Sequence, residues 1–166
     1  AFSDELTVLA AKRALLQSSI SLGKRYTLAM MDVDHFKKFN DTYGHDVGDQ
    51  VLRLVASKLN SVKGGGKAYR YGGEEFTIVF PNKSVNYAIP FLEQVREDIA
   101  NYNMAIRSDD RPEDTDQGKS KRKKNAGGTQ YVNVTISIGV AEREGELKDF
   151  DQVLKQADEA LYRAKQ

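Results

Sequence analysis

Two adjacent glycines, Gly72-Gly73, are followed at once by two acids and then by an apolar run, Glu74-Glu75-Phe76-Thr77-Ile78-Val79-Phe80. Glycine accepts positive φ without steric cost, so the pair suits a two-residue hairpin turn. On that reading Tyr69 and Tyr71 belong to one strand, and Phe76, Ile78 and Phe80 share a face of the returning strand. A single hairpin is marginal in water; it needs further strands and something packed on its apolar face. The chain is therefore expected to build a sheet covered by helices.

The remaining segments supply both. Tyr26 to Asp34 reads as a buried strand, apolar at Leu28, Ala29, Met30, Met31 and Val33, that ends in carboxylates. Val132, Val134, Ile136, Ile138 and Val140 alternate with Asn133, Thr135, Ser137 and Gly139, the clearest strand pattern in the chain. Helical spacing is expected over Ser3 to about Leu22 (Leu9, Leu16, Ile20) and across Val47, Val51, Leu54, Val55, Leu59 and Val62. It recurs over Val85 to Ile106 (Ile89, Leu92, Val95, Ile99), where Pro90 delays the start or kinks the helix. The last helix runs through Phe150, Val153, Leu154, Ala157, Leu161 and Ala164, with Asp149 or Asp151 as its cap. The order helix, strand, helix, hairpin, helix, strand, helix favours one α/β (α+β) domain over residues 1–166, with helices on a mostly antiparallel sheet.

One stretch stands apart. From Arg107 to Asn125 there is no aliphatic or aromatic residue, and the segment is acidic first (Asp109, Asp110, Glu113, Asp114, Asp116) and basic afterwards (Lys119, Lys121, Arg122, Lys123, Lys124). Such a composition buries too little apolar surface to offset its ordering entropy, so residues 107–128 are expected to be a flexible insertion. The basic run lies beside an acidic one and has no interleaved aromatics, which argues against a nucleic-acid surface. The whole chain is nearly neutral, 25 basic against 24 acidic residues. It has no cysteine, hence no disulfide or thiolate metal site. No apolar run approaches the roughly 20 residues needed to cross a bilayer, and no export signal is visible. These features favour a cytoplasmic location without membrane contact from this segment.

Chemistry concentrates in two places. Asp32 and Asp34 close a strand otherwise built for burial, and two residues apart on an extended chain they point to the same side. Glu74 and Glu75 follow the tight turn. Taken singly, such acids are usually just solvated. Acids at a strand end and in a hairpin of one sheet can, however, converge on a hard divalent cation. Magnesium takes one or two carboxylates together with substrate phosphates.

Gly72-Gly73-Glu74-Glu75-Phe76 resembles the signature of the GGDEF family in its Glu-for-Asp form. Around it, in the family's order, stand Asp4-Glu5-Leu6-Thr7, Asp32-x-Asp34-x-Phe36-Lys37-x-x-Asn40-Asp41 and Tyr43-Gly44-His45-Asp46-x-Gly48-Asp49. Arg70-Tyr71, Ser137-Ile138-Gly139-Val140-Ala141 and Ala157-Asp158-x-Ala160-Leu161-Tyr162-x-Ala164-Lys165 complete the set. The resemblance covers essentially the whole chain. It implies the palm-like fold of nucleotidyl cyclases and diguanylate cyclase activity, in which two GTP are condensed to cyclic di-GMP.

The same resemblance implies roles. Asp32, the Val33 carbonyl and Glu74 would bind magnesium, or manganese in its place, with Glu75 holding a second ion. Glu74 or Lys37 would assist the chemistry, Glu74 by taking the proton of the attacking 3′-hydroxyl and Lys37 by neutralising charge. Phe36, Lys37, Asn40, His45, Asp49, Gly73 and Lys165 match substrate-binding positions. Asp49 also makes sense on its own terms, since a carboxylate accepts from guanine N1–H and the exocyclic amine, which adenine does not offer. The resemblance further implies a homodimer and an upstream sensor or receiver domain. Three departures accompany it: Val8, Ala11 and Lys12 replace family residues near the start, and Lys63-Gly64-Gly65-Gly66 stands where many members carry an inhibitory Arg-x-x-Asp. A further phosphate-binding arginine would fall just beyond Gln166. The alternative is a catalytically silent member that binds GTP or a partner, against which both signature acids are present.

Overall fold

A computed structural model describes residues 3–107, 129–144 and 149–166. The central strand β2 (Tyr26–Val33) is buried at every position but Asp32. Its Leu28, Met30 and Tyr26 face one side, and Ala29, Met31 and Val33 the other, so both faces need a cover. β3 (Lys67–Gly72) and β4 (Glu75–Pro81) form the hairpin, and β2 pairs antiparallel with β4 on one edge and with β7 (Ile136–Arg143) on the other. A two-residue strand, β1 (Ala10–Ala11), joins β3 in parallel, giving the order β1-β3-β4-β2-β7. The mostly antiparallel sheet expected from the sequence is present.

Helices cover both faces. α3 (His45–Asn60) and α4 (Val85–Ala100) bury Val47, Val51, Val55, Leu59, Leu92, Val95 and Ile99 in the larger core with Phe76, Ile78 and Phe80. On the opposite face α1 (Lys12–Ser19) contributes Leu15, and α5 (Phe150–Ala164) contributes Val153, Leu154, Ala157 and Leu161. Each fully buried aliphatic or aromatic side chain contributes about 1.5–3 kcal/mol relative to exposure. Asp149 caps α5 through a reciprocal pair: its side chain accepts from the Gln152 amide at 2.9 Å, and the Gln152 side chain accepts from the Asp149 amide at 2.9 Å.

Five local expectations are corrected. The first helix starts at Lys12, not Ser3, because the Asp4 carboxylate accepts from the Thr7 amide and hydroxyl at 2.8 Å each and holds a turn instead. Its buried residue is Leu15, while Leu16 and Ile20 lie exposed. Two helices, not one, lie between the first long strand and the hairpin, because α2 (Phe36–Tyr43) precedes α3. The hairpin loop is Gly73-Glu74, since Gly72 pairs with Glu75. The helix over Val85 stops at Ala100, because Asn133 Nδ2 donates to the Ala100 and Tyr102 carbonyls at its end, at 3.4 and 2.8 Å.

Met104–Arg107 (β5) then pairs with Thr129–Val132 (β6) as a separate two-stranded sheet. The long alternating segment is therefore two strands, broken at Asn133–Thr135 where side chains bond elsewhere. Val132, Val134 and Ile136 are nonetheless all buried in one core, so the alternation is real although the strand is not continuous. Arg107 belongs to β5, and the rest of the expected insertion, 108–128, lies outside the described residues. Among the described residues no helix is long and apolar enough to cross a membrane.

Gly139 sits in β7 directly beneath α5. A Cβ there would be driven into the backbone of Ala157, Ala160 and Leu161. Backbone cannot turn aside as a side chain can, so Gly139→Ala should cost about 3 kcal/mol, the upper end for overpacking. Urea unfolding measures this; a loss under about 1 kcal/mol would mean α5 is held less closely.

Candidate functional site

The register of β2 creates the site. Asp32 is the first charge on a strand whose preceding six residues are buried, and it lies opposite Glu75 of β4 and Ser137 of β7. Beyond it Asp34 accepts from Ser137 Oγ at 2.6 Å and Thr135 Oγ1 at 2.7 Å. Lys165, the C-cap of α5, reaches back to this strand end, with Nζ 2.6 Å from Asp32 Oδ1 and 3.4 Å from Asp34 Oδ1. Asp32 Oδ1 is enclosed and has no aligned hydrogen-bond donor among the described residues, so the Lys165 contact is a close ion pair.

The electrostatics follow from this crowding. Burial pushes the Asp32 carboxyl above the ordinary range, and Asp34 and Asp158 add to the rise; together they outweigh the pull of Lys165. At Asp34 burial also pushes upward, but the Ser137 and Thr135 hydroxyls and Lys165 bring it below the usual carboxylate range. Glu74 is raised by burial and by the Asp32 charge. Glu75 is raised by burial, then by Asp158, Asp32 and Glu74. For Lys165 burial works downward, and the nearby Asp32 and Asp34 charges raise it regardless.

A cleft of about 720 Å³ opens beside the hairpin. Phe36, Lys37 and Asn40 from α2, His45 and Asp49 from the first turns of α3, and Gly73, Glu74 and Glu75 from the hairpin all line it. Eight of the positions singled out in the sequence thus meet on one wall system. Asp32, Val33 and Lys165 are not on that lining. They sit at the β2 end behind Glu75, with Val33 buried and only its backbone available as a ligand.

Local sequence explains the shape. His35 adopts a left-handed conformation (φ 56°) at the N-cap of α2, and no side chain caps that helix. Its first amides are therefore left for an anion. Gly44, at φ 92°, starts α3 without a side-chain cap. Gly48 lets α3 close on α2, since a Cβ there would overlap Asn40 Oδ1. That oxygen is buried and without a hydrogen-bond partner among the described residues, a polar atom awaiting a donor.

Sequence reasoning missed two residues of the cleft. Arg70 lines it while donating to the Gly73 carbonyl at 2.7 Å and pairing with Asp4 at 3.0 Å. In the sequence it stands only as part of the Arg70-Tyr71 motif, and an arginine three residues before the turn glycine is the available signal. Lys12, treated as a mere departure, lines the cleft with its ammonium 4.4 Å from the Tyr71 ring centroid. Nothing in its local sequence marks it, because α1 comes to β3 only through the fold. In the Lys63–Gly66 loop, Gly64 and Gly65 have positive φ, and a Cβ on Gly66 would press to 2.8 Å from the Phe80 ring.

Among the described residues no three acidic, His or Cys side chains converge closely enough to hold an ion unaided. The strand-end acids fit instead a hard cation that takes most of its oxygens from phosphates and water.

Comparisons with known proteins agree with one another. The chain matches the family model described as "Diguanylate cyclase, GGDEF domain" over residues 1–119 and 117–166. It is 36% identical over 173 residues to the response regulator PleD of Caulobacter vibrioides, covering 99% of this chain and 34% of that protein. It is 36% identical over 170 residues to the diguanylate cyclase VdcA of Vibrio cholerae, covering 99% of this chain and 44% of the relative. The fold is similar to that of the GGDEF domain of DgcB from Caulobacter crescentus, solved in complex with c-di-GMP. There the TM-score is 0.76 at 33% identity, covering 99% of this chain and 90% of the other. The chain thus spans less than half of the length of these curated relatives.

The raised carboxyls carry a testable consequence. A folded-state pKa above the unfolded value gives stability that is present at low pH and lost as pH rises through the folded value. The Glu75 carboxylate, disfavoured by burial and by Asp158, Asp32 and Glu74, is therefore a net cost to the fold once ionised. In metal-free buffer at about pH 7.5, Glu75→Gln should raise the melting temperature by about 1–3 °C, the screening of a half-buried group keeping it small. The gain should shrink towards about pH 4. A fall in melting temperature at neutral pH would contradict this electrostatic picture.

Proposed function

Because this chain belongs to the GGDEF family, we propose that it is a diguanylate cyclase domain, joining two GTP into cyclic di-GMP with release of two pyrophosphates. The observation that carries the reading is the single cleft of about 720 Å³ on which Phe36, Lys37, Asn40, His45, Asp49, Gly73, Glu74 and Glu75 meet, beside the Asp32 strand end.

Each residue has a task that its position suits. Asp49 accepts from guanine N1–H and the exocyclic amine, and the unpartnered Asn40 Oδ1 takes a further donor from the nucleotide. The uncapped first turn of α2, at Phe36 and Lys37, receives phosphate oxygens, and the Lys37 ammonium offsets charge on them. His45 borders the cleft with them, and Gly73 keeps the hairpin tip free of a side chain so that phosphate can approach the backbone. A magnesium ion, or manganese in its place, would be held by Asp32, the Val33 carbonyl and Glu74, with Glu75 at a second ion, and supplies charge neutralisation at the reacting phosphate. Glu74, its carboxyl raised by burial and Asp32, accepts the proton of the 3′-hydroxyl as that oxygen bonds to the α-phosphorus of the other GTP. The bond to pyrophosphate breaks in the same step.

The product needs two such steps, and one chain offers one set of these residues. Two copies facing each other about a two-fold axis present each 3′-hydroxyl to the other's α-phosphate. The activity then belongs to a homodimer, governed in a longer protein by an upstream sensor or receiver domain.

Incubation with GTP or ATP followed by nucleotide chromatography tests the reading. GTP alone should yield cyclic di-GMP, with a rate per chain that rises with protein concentration until dimers dominate. Glu74→Ala should lower turnover by more than about 100-fold, and Asp49→Ala should act mainly on KM for GTP. GTP bound but recovered unchanged would mean a silent domain, and full rate per chain at monomer concentrations would refute the two-chain mechanism.

A further inference from the structure

A lysine that ends a helix ordinarily projects into water, where its ammonium is fully hydrated. Lys165 does the opposite. It turns back from the end of α5 to the strand end of β2, bringing its ammonium to 2.6 Å from Asp32 Oδ1 and 3.4 Å from Asp34 Oδ1, with its side chain 31% exposed. The two acids do not need it equally. Asp34 is already served by two hydroxyls, from Ser137 and Thr135. Asp32 Oδ1 is enclosed, and the cation held against it is Lys165. Around it Glu74, Glu75, Asp34 and Asp158 add negative charge.

We propose that Lys165 is a resident counter-ion at Asp32, holding the place of the metal until a nucleotide arrives, so that the cation enters with the triphosphate rather than ahead of it. This rests on the reading of Asp32 as a metal ligand given above. An oxygen 2.6 Å from an ammonium cannot also take magnesium at about 2.1 Å without forcing two cations together. A free metal ion must therefore first displace Lys165 into water. A triphosphate changes the balance, because its terminal oxygens offer the ammonium a new anionic partner as the metal takes its place. The four-carbon stem of lysine lets the charge move while the helix stays where it is. Metal and nucleotide then favour one another's binding, and the coupling is reciprocal.

The proposal also accounts for where Lys165 is found. The resemblance gives Lys165 as a substrate-binding position, yet the side chain lies outside the cleft lining and on the strand-end acids. These are two positions of one side chain, without and with nucleotide.

The test is manganese binding by the purified protein, read from the loss of the free-ion electron paramagnetic resonance signal. It is done without nucleotide and then with 3′-deoxy-GTP, which cannot cyclise. Lys165→Met, which keeps the stem and removes the charge, should bind free manganese roughly tenfold more tightly than the unaltered protein, and 3′-deoxy-GTP should enhance its manganese affinity less. Lys165→Arg, which keeps the charge, should show no such gain. Melting curves confirm that each variant is folded. Unchanged or weaker manganese binding by folded Lys165→Met would overturn the proposal. Asp32→Asn separates this failure from failure of the underlying reading. If Asp32→Asn abolishes manganese binding with 3′-deoxy-GTP while Lys165→Met gains nothing, only the counter-ion role falls. If Asp32→Asn leaves that binding intact, Asp32 is no metal ligand and both fall.

Discussion

The pairing of β2 with β4 sets Asp32 opposite Glu75, and the rest of the site depends on that juxtaposition. Like charges facing each other across a ladder are unfavourable, and here burial pushes both carboxyls up as well. The register survives because the preceding residues of β2 are locked on both edges, against β4 and against β7, and because both faces are covered by apolar helices. A one-residue slip would turn Leu28, Met30 and Asp32 to the opposite face and expose one core to a carboxylate. The hydrophobic pattern therefore sustains an arrangement that the local charges oppose. Concentrated negative charge of this kind has no structural merit, and it becomes favourable when cations are supplied.

Two further devices carry the strand end into a usable cleft. Arg70 ties the hairpin to the N-terminal segment, with one nitrogen on Asp4 and another on the Gly73 carbonyl, so the tip carrying Glu74 is braced from both ends of the chain's first half. Across the cleft, Gly44 and Gly48 let α3 begin sharply and lie close on α2, which leaves Asn40 enclosed with an unused acceptor. The cleft thus brings together the uncapped first turn of α2 with Lys37, the hairpin acids Glu74 and Glu75, and the polar side chains of Asn40 and Asp49. α5 closes the arrangement: its close approach over Gly139 fixes where its last turn lies, and so where Lys165 can reach.

Much of this was legible in the residues. The buried run ending at Asp32, the glycine-acid turn and the motif spacing placed eight residues that the fold does bring to one cleft. The order and sense of the central strands were also readable, because two-faced burial leaves a continuous apolar run and hairpins leave glycines. What escaped were features set by single polar side chains acting at a distance. Asn133 ends α4 by binding carbonyls 31 and 33 residues away, which no helical period can announce. Asp4 replaces a predicted helical turn with its own, and its partner Arg70 lies 66 residues on. The hairpin loop slipped by one position because the irregularity between Arg70 and Gly72 shifts the pairing, and that shift puts Glu74 at the tip. The inward turn of Lys165 is of the same kind, since its sequence context is that of an ordinary helix end.

The central claim is that the β2 strand end and the hairpin tip form one metal–nucleotide site with the α2–α3 wall. The most direct measurement is a crystal structure of the chain with magnesium and 3′-deoxy-GTP. Magnesium should be bound by Asp32 and Glu74, with phosphates on the first turn of α2 and guanine against Asn40 and Asp49. A nucleotide bound away from this cleft, or a metal that leaves Asp32 untouched, would contradict that claim.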